Sequence, residues 1–151
     1  MKKCVLVIAC VCLSLCACGG NDGYYYKEEE IIAFVQEHEE DIRQQIEAAG
    51  EDEKIEAFDG IESVEDRRDT EGVVYYEYIA SGLMTSSLQA GFYYSVEDKH
   101  SSRGGASWAG GYRWSEVPTQ EENLWRYEEG DDNYYITRKI CDNFYYVVAG
   151  N

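Results

Sequence analysis

Three side chains outside the N-terminal segment of this 151-residue chain are of the types that most often perform catalysis: His38, His100 and Cys141. A cysteine beside a histidine can act as a thiolate nucleophile. Cys141, however, is followed by Asp142 and Asn143, which suit a tight hairpin turn, and it belongs to no catalytic motif. No Gly-x-Ser-x-Gly, Ser-x-x-Lys or His-Glu-x-x-His sequence occurs. We therefore predict a structural thiol at Cys141, a core histidine at His38, and no catalytic residue, cofactor or metal site.

Two further segments carry atoms that bind ions. Residues 128–133, Glu-Glu-Gly-Asp-Asp-Asn, offer the hard oxygen ligands that calcium takes, but they lack the ligand spacing of an EF-hand loop. The glycine-rich stretch 103–111 precedes Tyr-Arg-Trp, which is typical of a strand, whereas a phosphate loop needs a helix N-terminus behind it. We interpret the first segment as an acidic turn and the second as a recognition loop.

Aromatic residues give the strongest indication of binding. The chain has 14 tyrosines and 3 tryptophans, and a group of them between residues 108 and 127 is interleaved with Arg113, Glu116 and Arg126. The candidate ligand-binding residues are Trp108, Tyr112, Trp114, Trp125 and Tyr127. Aromatic faces beside hydrogen-bonding groups can stack on sugars or anchor a protein partner. Tyrosine is also a good strand residue with a half-exposed face, so both interpretations stay open.

The N-terminus indicates export. Lys2 and Lys3 precede an apolar run, residues 5–15, which rises only about 16 Å as a helix and is too short to span a bilayer. The segment 15–18, Leu-Cys-Ala-Cys, resembles the lipobox of bacterial lipoprotein signal peptides: an aliphatic, a variable and a small residue, then cysteine. The resemblance implies cleavage before Cys18 and a thioether-linked diacylglycerol on its thiol. Cys16 is the rival acceptor, but it would place bulky Leu15 where a small residue is expected.

This resemblance predicts three parts: a signal peptide at 1–17, a lipidated cysteine with a short tether at 18–23, and one domain at 24–151. The protein would then lie outside the cytoplasm, anchored to the bacterial membrane. Five tether residues reach at most about 18 Å, so the domain would stay near the membrane. From Cys18 onward the chain carries 30 acidic and 11 basic side chains, a formal charge of −19. Such a charge makes nucleic acid an implausible partner.

The element pattern begins with an amphipathic helix from Lys27 to Ala49, ended by Gly50. Its apolar face is predicted to consist of Ile31, Phe34, Val35, His38, Ile42 and Ile46. Strands are predicted after it at 55–64 (bulged at Gly60), 73–80, 88–96 (half-buried), 108–117, 124–127, 134–141 and 144–149. We regard 55–64, 108–117 and 124–127 as the weaker candidates.

The last two strands should form a hairpin around Asp142-Asn143. With a two-residue turn, Cys141 pairs with Phe144, Ile140 with Tyr145 and Arg138 with Val147.

One helix followed by antiparallel strands predicts an α+β fold, with the helix packed on a curved sheet of about five to six strands. Element order alone is similar to that of cystatin-like rolls. The function we expect is a membrane-anchored, non-enzymatic binding domain for a protein partner or an envelope glycan. Two alternatives remain: a hydrolase that acts on envelope material through paired carboxylates, and an inhibitor or immunity-type lipoprotein.

Overall fold

The computed structural model describes residues 27–50, 54–81, 88–101, 114–130 and 133–150. The predicted signal peptide and lipidated Cys18 lie outside these residues.

The first element, α1, is a helix of 21 residues from Glu28 to Ala48. It confirms the predicted amphipathic helix, with Ile31, Val35, Ile42 and Ile46 buried along one face. Three glutamates occupy its first turn, where the helix dipole favours negative charge. Among the described residues, no helix is both long enough and apolar enough to cross a membrane.

Seven antiparallel strands form one open sheet in the described part of the chain. The strands are β1 (Ser63–Arg67), β2 (Val73–Ser81), β3 (Leu88–Ser95), β4 (Ser115–Val117), β5 (Leu124–Glu129), β6 (Asn133–Cys141) and β7 (Phe144–Gly150). Their order across the sheet is β1-β2-β3-β7-β6-β5-β4. The α+β class is therefore as predicted, while the expected five to six strands become seven. Helix α1 contacts β3 and β7, near the middle of the sheet.

Both faces of the sheet are buried at its central strands. The helix-side face packs Val74, Tyr76, Phe92, Phe144, Tyr146 and Val148 against α1. The opposite face, which we call the tyrosine face, consists of Val73, Tyr75, Tyr93, Tyr127, Tyr135, Tyr145, Val147 and Ala149, with Trp114 and Trp125 packed against it. The prediction that β3 is half-buried is therefore wrong, because its alternating residues Phe92 and Tyr93 are both inaccessible to solvent.

Two strand predictions differ from the structure by more than two residues, whereas the other five agree within two residues. The strand predicted at 55–64 begins only at Ser63, because Gly60 adopts a φ of +88° in a turn and Ile55 and Ile61 are buried as irregular chain. Of the strand predicted at 108–117, the described residues form only the three-residue β4.

The hairpin prediction is correct at its turn and wrong beyond it. Cys141 pairs with Phe144 as expected, but Lys139 then faces Tyr145, and Arg138 faces Tyr146. The register shifts because Ile140 is an extra residue in β6, a β-bulge. The bulge places Ile140 and Cys141 together against the helix-side core.

An arginine stabilises the end of α1. Gly50 was predicted to end the helix, and α1 does end just before it, at Ala48 with Ala49 as the C-cap, although the φ of Gly50 is not positive. Instead, the Arg68 guanidinium donates to the carbonyl oxygens of Ile46 and Ala49 at 2.9 and 3.1 Å, and it forms an ion pair with Asp66 at 2.7 Å. The unpaired carbonyls of a helix C-terminus need such donors.

A glycine in β3 fits where no side chain can. Strand β2 has an irregularity between Glu77 and Ile79, opposite Gly91. A Cβ atom on Gly91 would collide with the carbonyl oxygen of Tyr76 and lie 3.1 Å from its carbonyl carbon. The close approach of two backbones therefore requires glycine here.

We expect Gly91→Ala to lower the free energy of unfolding by at least about 2 kcal/mol, since overpacking against backbone cannot be relieved by a side-chain movement. Gly50→Ala is the matched control, because a Cβ on Gly50 has no atom within 4 Å. Urea unfolding of both variants measures the difference. Equal stability of the two variants would contradict the close contact.

Candidate functional site

Three buried tyrosine hydroxyls hold the loop that follows β3. The Tyr145 hydroxyl donates to the carbonyl oxygen of Asp98 at 2.9 Å, and the Tyr93 hydroxyl accepts from the backbone N–H of Ser101 at 3.0 Å. The Tyr127 hydroxyl and His100 Nδ1 share a hydrogen bond of 2.9 Å. We call residues 98–101 the clamped loop.

The strand order explains why the loop lies where it does. Strand β3 lies beside β7, whereas the next strand in the chain, β4, lies at the far edge beyond β5. The connection between them has to pass β7, β6 and β5. The clamped loop makes the first part of this crossing, with Asp98 bonded to Tyr145 of β7 and His100 packed on Trp125 of β5.

Asp98 fixes the start of the clamped loop. Its carboxylate accepts hydrogen bonds from Lys139 Nζ at 2.7 Å, from the backbone N–H of Asn143 at 2.8 Å and from the Tyr145 hydroxyl at 3.1 Å. The hydrogen bond from Lys139, opposed by partial desolvation, holds the pKa of Asp98 below its ordinary value. Asp98 has a φ of 53°, a conformation that aspartate tolerates better than most residues.

His100 is the centre of the site. Its imidazole is stacked on the Trp125 indole, with ring centroids 4.2 Å apart and planes inclined by 12°. Desolvation lowers the pKa of His100 below 6.5, and the nearby Glu116 opposes this effect only in part. His100 is therefore neutral at pH 7 and presents a flat aromatic ring rather than a positive charge.

The tyrosine face continues beneath the loop as a packed aromatic layer. Tyr93 and Tyr145 are stacked with centroids 5.1 Å apart, and Tyr127 contacts Tyr135 at 5.6 Å. The Thr137 hydroxyl shares a 2.9 Å hydrogen bond with Tyr93 and donates to the carbonyl oxygen of Tyr146. Burial raises the pKa of Tyr93 to about 12, so its hydroxyl stays protonated.

An open cleft of about 630 Å³ adjoins His100. One wall is formed by residues 68–72 in the turn between β1 and β2, and the other by Glu97, Lys99, His100 and Ser101. Val73 and Ser95, which face each other across β2 and β3, also line it. The cleft is therefore lined mainly by polar residues and lies next to the His100–Trp125 pair.

The structure brings together part of the predicted aromatic group. Trp125 and Trp114 are half-buried and pack against the tyrosine face. Tyr127 is 3% exposed, so its ring belongs to the core and its hydroxyl serves to position His100. Trp108 and Tyr112 lie outside the described residues.

The fold separates the two groups that a cysteine–histidine mechanism would need. Cys141 packs with the helix-side core, whereas His100 bonds to a residue of the tyrosine face. Burial, reinforced by the nearby Glu39 carboxylate, raises the pKa of Cys141 to about 11. A thiol with this pKa is a poor nucleophile at pH 7.

The carboxylates of the cleft do not resemble a glycosidase pair. Glu97 forms an exposed ion pair with Lys99 at 2.7 Å, which lowers its pKa, while a general acid needs a raised one. Glu71 lies 3.6 Å from the Arg67 guanidinium. Within the described ranges, no three side chains of histidine, cysteine, aspartate or glutamate converge in a way that could hold a metal ion.

Sequence analysis did not single out Asp98, and it weighed His100 only as a possible partner of Cys141. The available signal was one tyrosine in each of three strands: Tyr75 of β2 faces Tyr93 of β3, and Tyr93 faces Tyr145 of β7. Buried phenol groups need hydrogen-bond partners, and the long connection that follows β3 could supply them.

Comparison with known proteins does not assign this chain to a family. No protein-family model, no curated protein and no solved structure matches this chain.

We expect the stability of the protein to fall as the pH drops below about 6.5, in part because of His100. Its pKa is lowered in the folded state, so the unfolded chain binds the extra proton first. Residues facing the ring are Tyr127 and Trp125 of β5 and Glu116 of β4, and none of them compensates an imidazolium fully. His100→Gln should therefore lose less stability than the parent between pH 7.5 and 5.5.

Urea unfolding of both proteins at each pH measures this difference, and contributions from carboxylates cancel because they are common to both. An identical pH dependence of the two proteins would show that His100 is protonated as easily in the folded as in the unfolded chain.

Proposed function

We propose that this chain is a membrane-anchored bacterial lipoprotein whose single domain binds a ligand without catalysing a reaction. The ligand-binding part is the His100–Trp125 pair and the adjoining cleft. The anchor is a diacylglycerol on Cys18, which would place the domain outside the cytoplasm. Trp114 belongs to the same aromatic surface, and we extend the proposal to Trp108 and Tyr112 from the sequence alone.

The stacking of His100 on Trp125 is the observation that carries the proposal. One face of the half-exposed Trp125 indole is buried against the neutral imidazole of His100, which is fixed by a hydrogen bond to Tyr127. The two rings together form a rigid aromatic surface. Rigid aromatic groups bind with a small loss of conformational entropy. The cleft next to them supplies hydrogen-bonding groups from two loops. This combination is typical of binding sites.

The absence of a catalytic arrangement among the described residues favours binding over the hydrolase alternative. The best nucleophile in the sequence is a high-pKa thiol on the other side of the sheet, and the exposed acid of the cleft has a lowered pKa.

We also propose the finer architecture, in which α1 lies across a curved sheet as in cystatin-like rolls. The helix contacts to β3 and β7 support it. Fold likeness alone implies no inhibitory function.

The anchor is tested by replacing Cys18. We expect Cys18→Ala, expressed in an exporting bacterium, to lose incorporation of a labelled fatty acid and to leave the membrane fraction, because the diacylglycerol on this one thiol carries the attachment. Cys16→Ala is the matched control and should be labelled like the parent. If labelling depends on Cys16 and not on Cys18, the anchor is on Cys16 and the assignment to Cys18 is wrong.

The binding surface is tested by replacing Trp125. We expect Trp125→Ala, as the full chain in detergent, to lower retention on envelope fractions at least about tenfold, as loss of a central aromatic anchor does. Val96→Ala is the control, since Val96 is the exposed large hydrophobic residue of the described chain, at 52%.

Circular dichroism and urea unfolding must show that both variants are folded, and Trp125→Leu replaces Trp125→Ala if the smaller side chain destabilises the core. Unchanged retention of a folded Trp125 variant would contradict this binding surface.

A further inference from the structure

The cleft beside His100 has the size and depth of a small-molecule site. Its volume of about 630 Å³ falls within the range of about 300–1,000 Å³ found for ligand pockets. Its two walls are joined at the base, where the backbone N–H of Val96 donates to the carbonyl oxygen of Gly72 at 2.9 Å. The Asp98 contacts to β6 and β7 fix the wall formed by the clamped loop. The cavity is therefore built by fixed backbone on both sides.

The charges of the cleft exclude an anionic ligand. The guanidinium of Arg68 is already engaged by Asp66 and by the carbonyl oxygens at the end of α1. Lys99 is paired with Glu97. Asp69 has no ion-pair partner in the part of the chain that the structure describes, and the whole chain carries a formal charge of −17. An approaching anion would meet repulsion without a free cation to bind it.

The remaining groups of the cleft suit hydroxyl groups. Asp69, Glu71 and Glu97 are hydrogen-bond acceptors, because the ion pairs of Glu71 with Arg67 and of Glu97 with Lys99 leave further lone pairs on each carboxylate. Thr70 carries a hydroxyl group that can donate and accept. His100 also lines the cleft, and its ring is held against Trp125. Acceptors and hydroxyls around an aromatic ring match the alternating polar edges and apolar face of a sugar.

We propose that this cleft binds a saccharide that is neutral or bears amino groups, with Asp69 and Glu71 accepting hydrogen bonds from its hydroxyl or ammonium groups and His100 packing against a sugar ring. The inference rests on the proposed binding function and specifies its ligand class. Acidic sugars are excluded by the same carboxylates.

The test uses three trisaccharides of equal length with the full lipidated chain in detergent micelles. Chitotriose is cationic, triacetylchitotriose is neutral and trigalacturonate is anionic. Titration calorimetry or ligand-observed NMR measures binding to the parent protein, to the double variant Asp69→Asn with Glu71→Gln, and to Asp59→Asn. Asp59 is an exposed aspartate that does not line the cleft, so it serves as the matched control.

We expect chitotriose or triacetylchitotriose, or both, to bind the parent and the Asp59 variant alike, with Kd raised at least about tenfold in the double variant, which corresponds to about 1.4 kcal/mol. Trigalacturonate should not bind. The proposal is overturned if neither of the first two binds, if the double variant binds them as the parent does, or if trigalacturonate binds most tightly.

Failure of this proposal is distinguishable from failure of the binding function itself. If the three saccharides do not bind while retention on envelope fractions still depends on Trp125, the domain binds a protein and the saccharide assignment is wrong. If both fail, the aromatic surface is structural only.

Discussion

Three buried tyrosine hydroxyls need hydrogen-bond partners, and this need determines how the clamped loop packs on the tyrosine face. Tyr93, Tyr127 and Tyr145 are at most 3% exposed, and a buried hydroxyl without a partner costs about 1–3 kcal/mol. Each of the three finds its partner in the clamped loop, at Ser101, His100 and Asp98. The loop is therefore fixed by strands from across the sheet, and the orientation of His100 follows from the same bonds that stabilise the core.

Arginine side chains, rather than tyrosine hydroxyls, hold the elements of the helix-side face together. Arg68, from the turn after β1, attaches to the end of α1, while Arg43, from α1, reaches the β6–β7 turn through Asn143 at 3.2 Å and packs over the Phe144 ring at 4.9 Å. Both arginines connect elements that are distant in sequence. Asn143 also donates to the carbonyl oxygen of Ser95, so the hairpin turn links α1 to the strand that leads into the clamped loop. A chain whose described part has one free cysteine and no disulfide is stabilised by such contacts and by packing.

Sequence patterns predicted the elements well and their arrangement poorly, for a physical reason. The period of Ile31, Val35, Ile42 and Ile46 is local, so α1 could be read directly. The bulge at Ile140 could not be read, because it depends on whether two adjacent apolar side chains both find room in the helix-side core. Tyr93 was placed on a half-exposed face because nothing local shows that another part of the chain covers it. The candidate site could be predicted only in part, for the same reason. Trp125 was predicted from its residue type. His100 reaches Trp125 because β3 and β4 lie far apart in the sheet, so that the connection between them has to pass β7, β6 and β5.

The distribution of charge is compatible with a ligand site on a strongly acidic domain. The solvent-exposed carboxylates of α1 lie on the helix side, and their negative potential favours solubility. They are Glu29, Glu30, Glu37, Glu40, Asp41 and Glu47. The aromatic surface lies on the opposite face of the sheet, where Trp125 packs. With exposed charges screened over about 8–10 Å, the helix contributes little to the field at that surface. In the proposed site, the choice of ligand then depends on the local groups of the cleft. The proposed tether would hold the domain within about 18 Å of a membrane. The exposed carboxylates of α1 would then repel anionic lipid headgroups, without weakening the contacts of an uncharged ligand on the opposite face of the sheet.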